Sequence, residues 1–205
     1  PPDRGECNNT GDIVETALII GKYGYPEYFQ DAERITRGHL LPAQLRDNSF
    51  IPETANPSSK NGLHDLANRH LGAFGFPAPY GHRPKGLERI SFNMDIVGGS
   101  VASLCEVLRD SAVTMERGQM VNMMFDRQSE FLHLEAASDN TGLIATPIRS
   151  GPLWIRLPGW VDRTKLRVNG KAKFQIIKGY ILIAEPNLAE PVEITYPASE
   201  SEIVL

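Results

Sequence analysis

Cysteine is scarce in this chain: Cys7 and Cys105 are the only two in 205 residues. Two are too few for a disulfide framework, and by themselves too few for a thiolate metal centre, which takes about four ligands. Basic charge is short as well. Twenty-one Lys and Arg against 25 Asp and Glu leave a net charge of -4, which gives no electrostatic footprint for nucleic acid and no basic cluster for an anionic membrane surface. Long apolar runs are missing; Ala17-Leu18-Ile19-Ile20, the longest in the first half, falls far below the roughly 20 residues of a membrane-spanning helix. There is no internal repeat and no low-complexity tract. The chain opens Pro1-Pro2-Asp3, without Met and without a basic-then-apolar signal segment, and is expected to be a piece of something longer.

What is present is an ordinary folding composition, 41% hydrophobic and 22% charged, enough for a real core. The period of the apolar residues changes near Gly118, from helical spacing before it to short alternating runs after it. Asp12 and Glu15 form a capping-box pattern, and Ile13, Val14, Ala17, Leu18 and Ile20 then fall on one face. Gly21 and Gly24 stop that helix. Pro26 opens a second, carrying Tyr28, Phe29, Ala32, Ile35, His39 and Leu40 until Pro42 ends it. Residues 47–62 read as loop, 63–71 as a short helix, and the Gly/Pro-dense 72–86 as irregular. A last helix is expected over 100–113 with Val101, Leu104, Cys105 and Leu108 inward, and with Gly98-Gly99 at its start. Strand candidates follow at 119–126, 129–136, 142–148, 152–157, 164–168, 172–177, 180–185 and 191–196, with a hairpin turn at Asn169-Gly170. These patterns predict a helical domain over 1–116 and an antiparallel β-sandwich over 117–205.

Several motifs carry a resemblance. Cys7-Asn8-Asn9-Thr10-Gly11-Asp12-Ile13, then Tyr28-Phe29-Gln30-Asp31-Ala32-Glu33-Arg34, then His39-Leu40-Leu41 are similar in kind and order to a segment of glycoside hydrolase family 127, the β-L-arabinofuranosidases and their relatives. So are Ile155-Arg156-Leu157-Pro158-Gly159-Trp160, Val168-Asn169-Gly170 and Gly179-Tyr180. The resemblance covers most of this chain but only the C-terminal portion of the family's sequence. It implies an α+β architecture: the last helices of an (α/α)6 barrel followed by a β-sandwich. In the resembled enzymes a thiolate-rich zinc site holds a cysteine nucleophile. Here Cys7 matches one metal cysteine, but Gly5 stands where the family has Glu, with Glu6 one residue off. The family's Cys-Cys pair falls on Asp95-Ile96-Val97-Gly98-Gly99, and its acid/base glutamate falls before Pro1. No cofactor and no zinc are therefore expected.

The carboxylates nearest the family's site positions are Asp12, which the helix cap accounts for, and Glu6 and Asp95. Glycoside hydrolysis needs two carboxyl groups roughly 5–10 Å apart, and these two would serve if their segments adjoin; as helix-start carboxylates they could equally be caps. Tyr80, His82 and Arg83, in the Gly/Pro-rich stretch, combine an aromatic face with hydrogen-bonding neighbours and suit a sugar; the competing reading is a solvated loop. Cys7 is either a surviving ligand or a buried filler, and Cys105 and His39 read as core. Trp154 and Trp160 read as packing residues. Two functions follow: part of a glycoside hydrolase-like protein acting on glycans, incomplete alone, or a non-catalytic carbohydrate-binding or structural module. Its partners would be carbohydrate and either the missing N-terminal portion or a second copy, which would cover inner helix faces at Ile13, Ala17, Ile20, Phe29 and Ile35.

Overall fold

The computed structural model describes residues 7–49, 65–74, 94–139, 141–169 and 173–198. These comprise four α-helices and ten strands: α1 (Cys7–Lys22), α2 (Glu27–Ile35), a π-helical turn Thr36–Leu40, α3 (Leu66–His70) and α4 (Met94–Ser111), then β1 (Ala112–Met115), β2 (Gly118–Val121), β3 (Arg127–Gln128), β4 (Leu132–Ala136), β5 (Gly142–Pro147), β6 (Leu153–Arg156), β7 (Arg167–Asn169), β8 (Phe174–Ile177), β9 (Tyr180–Ile183) and β10 (Val192–Thr195). The class is α+β, as the change of period predicts. A closed α/α barrel is not seen among the described residues. The chain divides into two compact units, one of Pro1–Ala17 with Arg34–Val107, the other of Leu18–Glu33 with Leu108–Leu205.

In the first unit, α1 begins at Cys7, five residues before the Asp12 cap that the sequence suggests. Asn8, Asn9, Thr10 and Gly11 are weak helix formers, and their tertiary setting overrides that preference. Gly11 lies against Ser103, and a Cβ at Gly99 would come within 3.1 Å of the Asn8 Cβ. α4 likewise begins earlier than expected, so Gly98 and Gly99 lie inside the helix and do not mark its start. Its inward face is small and polar, with Ser100 and Ser103 buried, while Val101 is 43% exposed. Cys105 is exposed, against the expectation of a core position. The close approach of α1 demands small side chains, and that outweighs apolar patterning. His39 is also exposed. Leu45 N–H donates to Ala73 (2.8 Å) and Gly72 N–H to Leu45 (2.8 Å), tying the segment after the π-helical turn to the one after α3.

The second unit holds two five-stranded sheets, ordered β1-β2-β6-β9-β8 and β3-β4-β5-β10-β7. Val121, Leu153, Ile155, Ile181 and Ile183 from the first sheet share one core with Leu132, Leu134, Leu143, Ala145, Val192 and Ile194 from the second. That shared core makes them a sandwich. Pairing is antiparallel apart from β2 with β6, which is parallel. β1 precedes Gly118 and lies outside the expected strands. β7 pairs with β10 and β8 with β9, so the chain changes sheets after Asn169 and no β7–β8 hairpin forms. A tight hairpin lies instead at Lys178-Gly179, between β8 and β9. Phe29, expected to lack cover, is buried, and a Cβ at Gly21 would come within 2.9 Å of its ring. Ala17 is buried too, whereas Ile13 is 58% exposed.

Candidate functional site

In the first unit, the first turns of α1 pack against α4 through Asn8 with Gly99 and Gly11 with Ser103. Cys7, the first residue of α1, is fully buried with Leu40, Ala43 and Phe74, and Val97 and Leu104 pack on them. The thiol is thus packed among apolar side chains. One turn on, Thr10 Oγ1 and His39 Nδ1 lie 3.2 Å apart in hydrogen-bond contact. Ser103 Oγ lies 2.8 Å from Glu15 Oε1 and 3.0 Å from the Gly99 carbonyl. Asn8 Oδ1, Thr36 Oγ1 and Ser100 Oγ are buried without a hydrogen-bond partner among the described residues, a condition that costs about 1–3 kcal/mol each unless something accepts or donates there.

Of the residues singled out from the sequence, Asp95 is the second residue of α4, and its side chain is not among those described. Glu6, Tyr80, His82 and Arg83 lie outside the described residues. Among the described residues, contacts between α1 and α4 include those of Asn8 with Gly99 and of Gly11 with Ser103. Among the described residues, no three His, Cys, Asp or Glu side chains gather as a metal ion requires.

A second constellation, in the other unit, escaped sequence reasoning. Arg156 on β6 is almost wholly buried and pairs through Nη2 with Glu33 Oε2 on α2 at 2.6 Å. Its Nε donates to the Asn122 carbonyl, and its Nη1 has no hydrogen-bond partner among the described residues. Asn122 Nδ2 donates to the Asp110 carbonyl (2.9 Å), and Asn122 Oδ1 accepts from Tyr180 Oη (2.8 Å). The Asp110 carboxylate takes Lys22 Nζ at 2.8 Å. Burial pulls the Arg156 guanidinium below its ordinary ionisation range, against the opposing effect of Glu33. It pushes the Tyr180 phenol up to about 12, with Arg156 and Arg117 pulling the other way. Gln30 Oε1 accepts from the Gly159 amide at 2.7 Å. Thus the motif at residues 28–34 and the motif at 155–160 are stitched together. Trp154 is half-buried, donating Nε1–H to the Arg117 carbonyl (2.9 Å) with its ring edge-on to Tyr180. Trp160 is 38% exposed and edge-on to Tyr196, so neither tryptophan is fully internal.

No protein-family model matches the sequence, and no curated protein matches it. A solved structure does: a glycoside hydrolase family 127 β-L-arabinofuranosidase from Geobacillus stearothermophilus T6, at a TM-score of 0.56 and 18% identity, covering 94% of this chain and 31% of that one. The likeness is one of fold. This chain spans about a third of that enzyme's length.

Proposed function

We propose that the chain is part of a glycoside hydrolase-like protein acting on plant or microbial glycans, and that alone it is incomplete as an enzyme. The supporting observation is the likeness of nearly the whole chain to about a third of a family 127 arabinofuranosidase. In this reading Glu6 and Asp95 are the carboxyl pair. Glu6 stands two residues before Asn8 and Asp95 four before Gly99, the point where α1 and α4 approach. Tyr80, His82 and Arg83 contact the sugar, and the rest of the site comes from chain beyond these residues. The exposed apolar side chains Ile13 and Val101 are then surface that this further portion covers.

The test is turnover of aryl L-arabinofuranosides by the 205-residue chain, with amide NMR titration by arabinofuranosyl oligosaccharides. The expected result is no turnover above background, with shifts concentrated at residues 7–11 and 94–103. Turnover lost in Glu6→Gln or Asp95→Asn would reveal a complete site and overturn the claim of incompleteness. Absence of shifts in those segments would overturn the placement of the sugar.

A second reading, a non-catalytic carbohydrate-binding module, draws on the half-buried Trp154 fixed beside Tyr180 in the sandwich unit. A ring face braced in this way suits the apolar side of a sugar.

A further inference from the structure

Two cavities of the second unit adjoin, sharing Gly24, Pro26 and Lys178 in their walls. The first, of about 430 Å³, has Tyr25, Gln30, Arg156 and Arg163 around it. The second, of about 510 Å³, has Lys22, Asp110, Arg117, Trp154 and Tyr180. Each lies within the range of small-ligand sites, about 300–1,000 Å³.

Their charge is the reverse of the chain's. Lys22, Arg117, Arg156, Arg163 and Lys178 line them, against Glu27 and Asp110, five basic groups to two acidic. Counting Glu33, which neutralises Arg156, two positive charges remain in surplus on a molecule of net charge -4. Arg156, with its side chain only 3% exposed, lines the first cavity, and its Nη1 is buried without a hydrogen-bond partner among the described residues. Aromatic faces accompany the charge. Tyr25 is 57% exposed, and Trp154 is held by its own hydrogen bond with the Arg117 guanidinium 6.0 Å from its ring centre.

Lys178 carries a further mark. The two-residue turn between β8 and β9 has φ of +47° at Lys178 and +80° at Gly179. Turns of this kind are ordinarily Asn-Gly or Asp-Gly, because the first residue must tolerate the left-handed region. A lysine there is strained, and strain of this sort accumulates where a side chain serves a ligand. Lys178 lines both cavities.

We propose that these adjoining cavities form a binding site for a short acidic oligosaccharide, a uronate-bearing glycan, with Lys178 and Arg117 meeting carboxylates and Tyr25 and Trp154 taking ring faces. Cations beside aromatic planes select a ligand that is anionic at its edge and apolar on its face, which a uronate ring is. Two sugar-sized hollows separated by a shared wall fit successive residues of one chain. A nucleic acid would need a longer basic track, on the order of 6–10 phosphate contacts, than two cavities on an acidic protein offer. The site uses residues of the second unit only and does not rest on the catalytic reading above.

The test is calorimetric and NMR titration of the 205-residue chain with trigalacturonate, a neutral galactose trimer, citrate and an oligothymidylate. Trigalacturonate should bind about tenfold or more tightly than the other three, and raising salt from about 50 to 500 mM should weaken it. Its amide shifts should map to residues 22–30, 114–122, 154–163 and 177–180, apart from the segments expected for the arabinofuranosyl sugar. Lys178→Asn should raise the melting temperature, as the better turn residue, while cutting affinity about fivefold or more; Arg117→Gln should cut affinity likewise. A neutral trimer binding equally, citrate or oligothymidylate matching trigalacturonate, no binding of trigalacturonate at about 10 mM, or Lys178→Asn melting higher with affinity unchanged would each overturn the assignment.

Discussion

The Tyr180 hydroxyl is buried against Asn122, and burial pushes its ionisation from 10.0 to about 12. Its neutral form is thus favoured in the folded state. The associated stability is fully present below about pH 10 and is lost as pH rises from there through about 12, because the unfolded chain gives up this proton first. A displacement from 10.0 to about 12 corresponds to about 3 kcal/mol. Denaturation midpoints followed from pH 9 to 12 are therefore expected to fall less steeply in Tyr180→Phe than in the wild type; parallel slopes would show that Tyr180 ionises as it does in the unfolded chain. The surrounding network was only half legible in the sequence. Glu33 and Arg156 each stand in a recognisable motif, but they are 123 residues apart, and a linear pattern does not say that two side chains meet. Cys105 and His39 misled for a related reason: helical spacing identifies a stripe, and only packing decides which stripe faces in.

At the scale of elements, strands were legible where one face is buried and the other is not. β10 alternates buried Val192 and Ile194 with exposed Glu193 and half-buried Thr195, and period-2 patterning of this kind is visible in sequence. β1 was not legible, since Ala112 and Val113 continue the apolar spacing of α4. The starts of α1 and α4 were not legible either. Their glycines and small polar residues look like loop sequence until the close approach of the two helices explains them. Close approach also decides Gly142. A Cβ there would press on the Ile194 carbonyl, a backbone atom of the neighbouring strand with little room to move. Gly142→Ala is expected to destabilise the chain by about 3 kcal/mol and to speed hydrogen exchange of the β5–β10 amides in particular. A variant as stable as the wild type would mean that the ladder can shift to admit a methyl group.

For the molecule as a whole, the helices carry apolar side chains that face solvent in the 205-residue chain, with Leu108 58% and Val101 43% exposed on α4. Substituting residues that nothing covers changes stability by no more than about 0.5 kcal/mol each. The double variant Val101→Lys, Leu108→Lys should therefore unfold in urea at nearly the wild-type midpoint. A loss of several kcal/mol would show that the chain covers this stripe itself. The broad plan, helices and then a sandwich, was readable because the period changes abruptly. The strand order was not, because pairing partners are set by the shared core and lie far apart in sequence.

That strand order fixes when the sandwich can form. β2 pairs with β6 through Gln119 and Leu153, and the intervening chain carries three strands of the opposite sheet. β5 waits for β10, joining Ala145 to Val192. Each closure spends loop entropy before any contact repays it, which places folding in the slow, high-contact-order regime of milliseconds to seconds. On a ribosome the half-made sandwich therefore holds unpaired strand edges until β10 emerges, and the arrival of that strand, more than any local signal, sets the moment at which the sandwich closes.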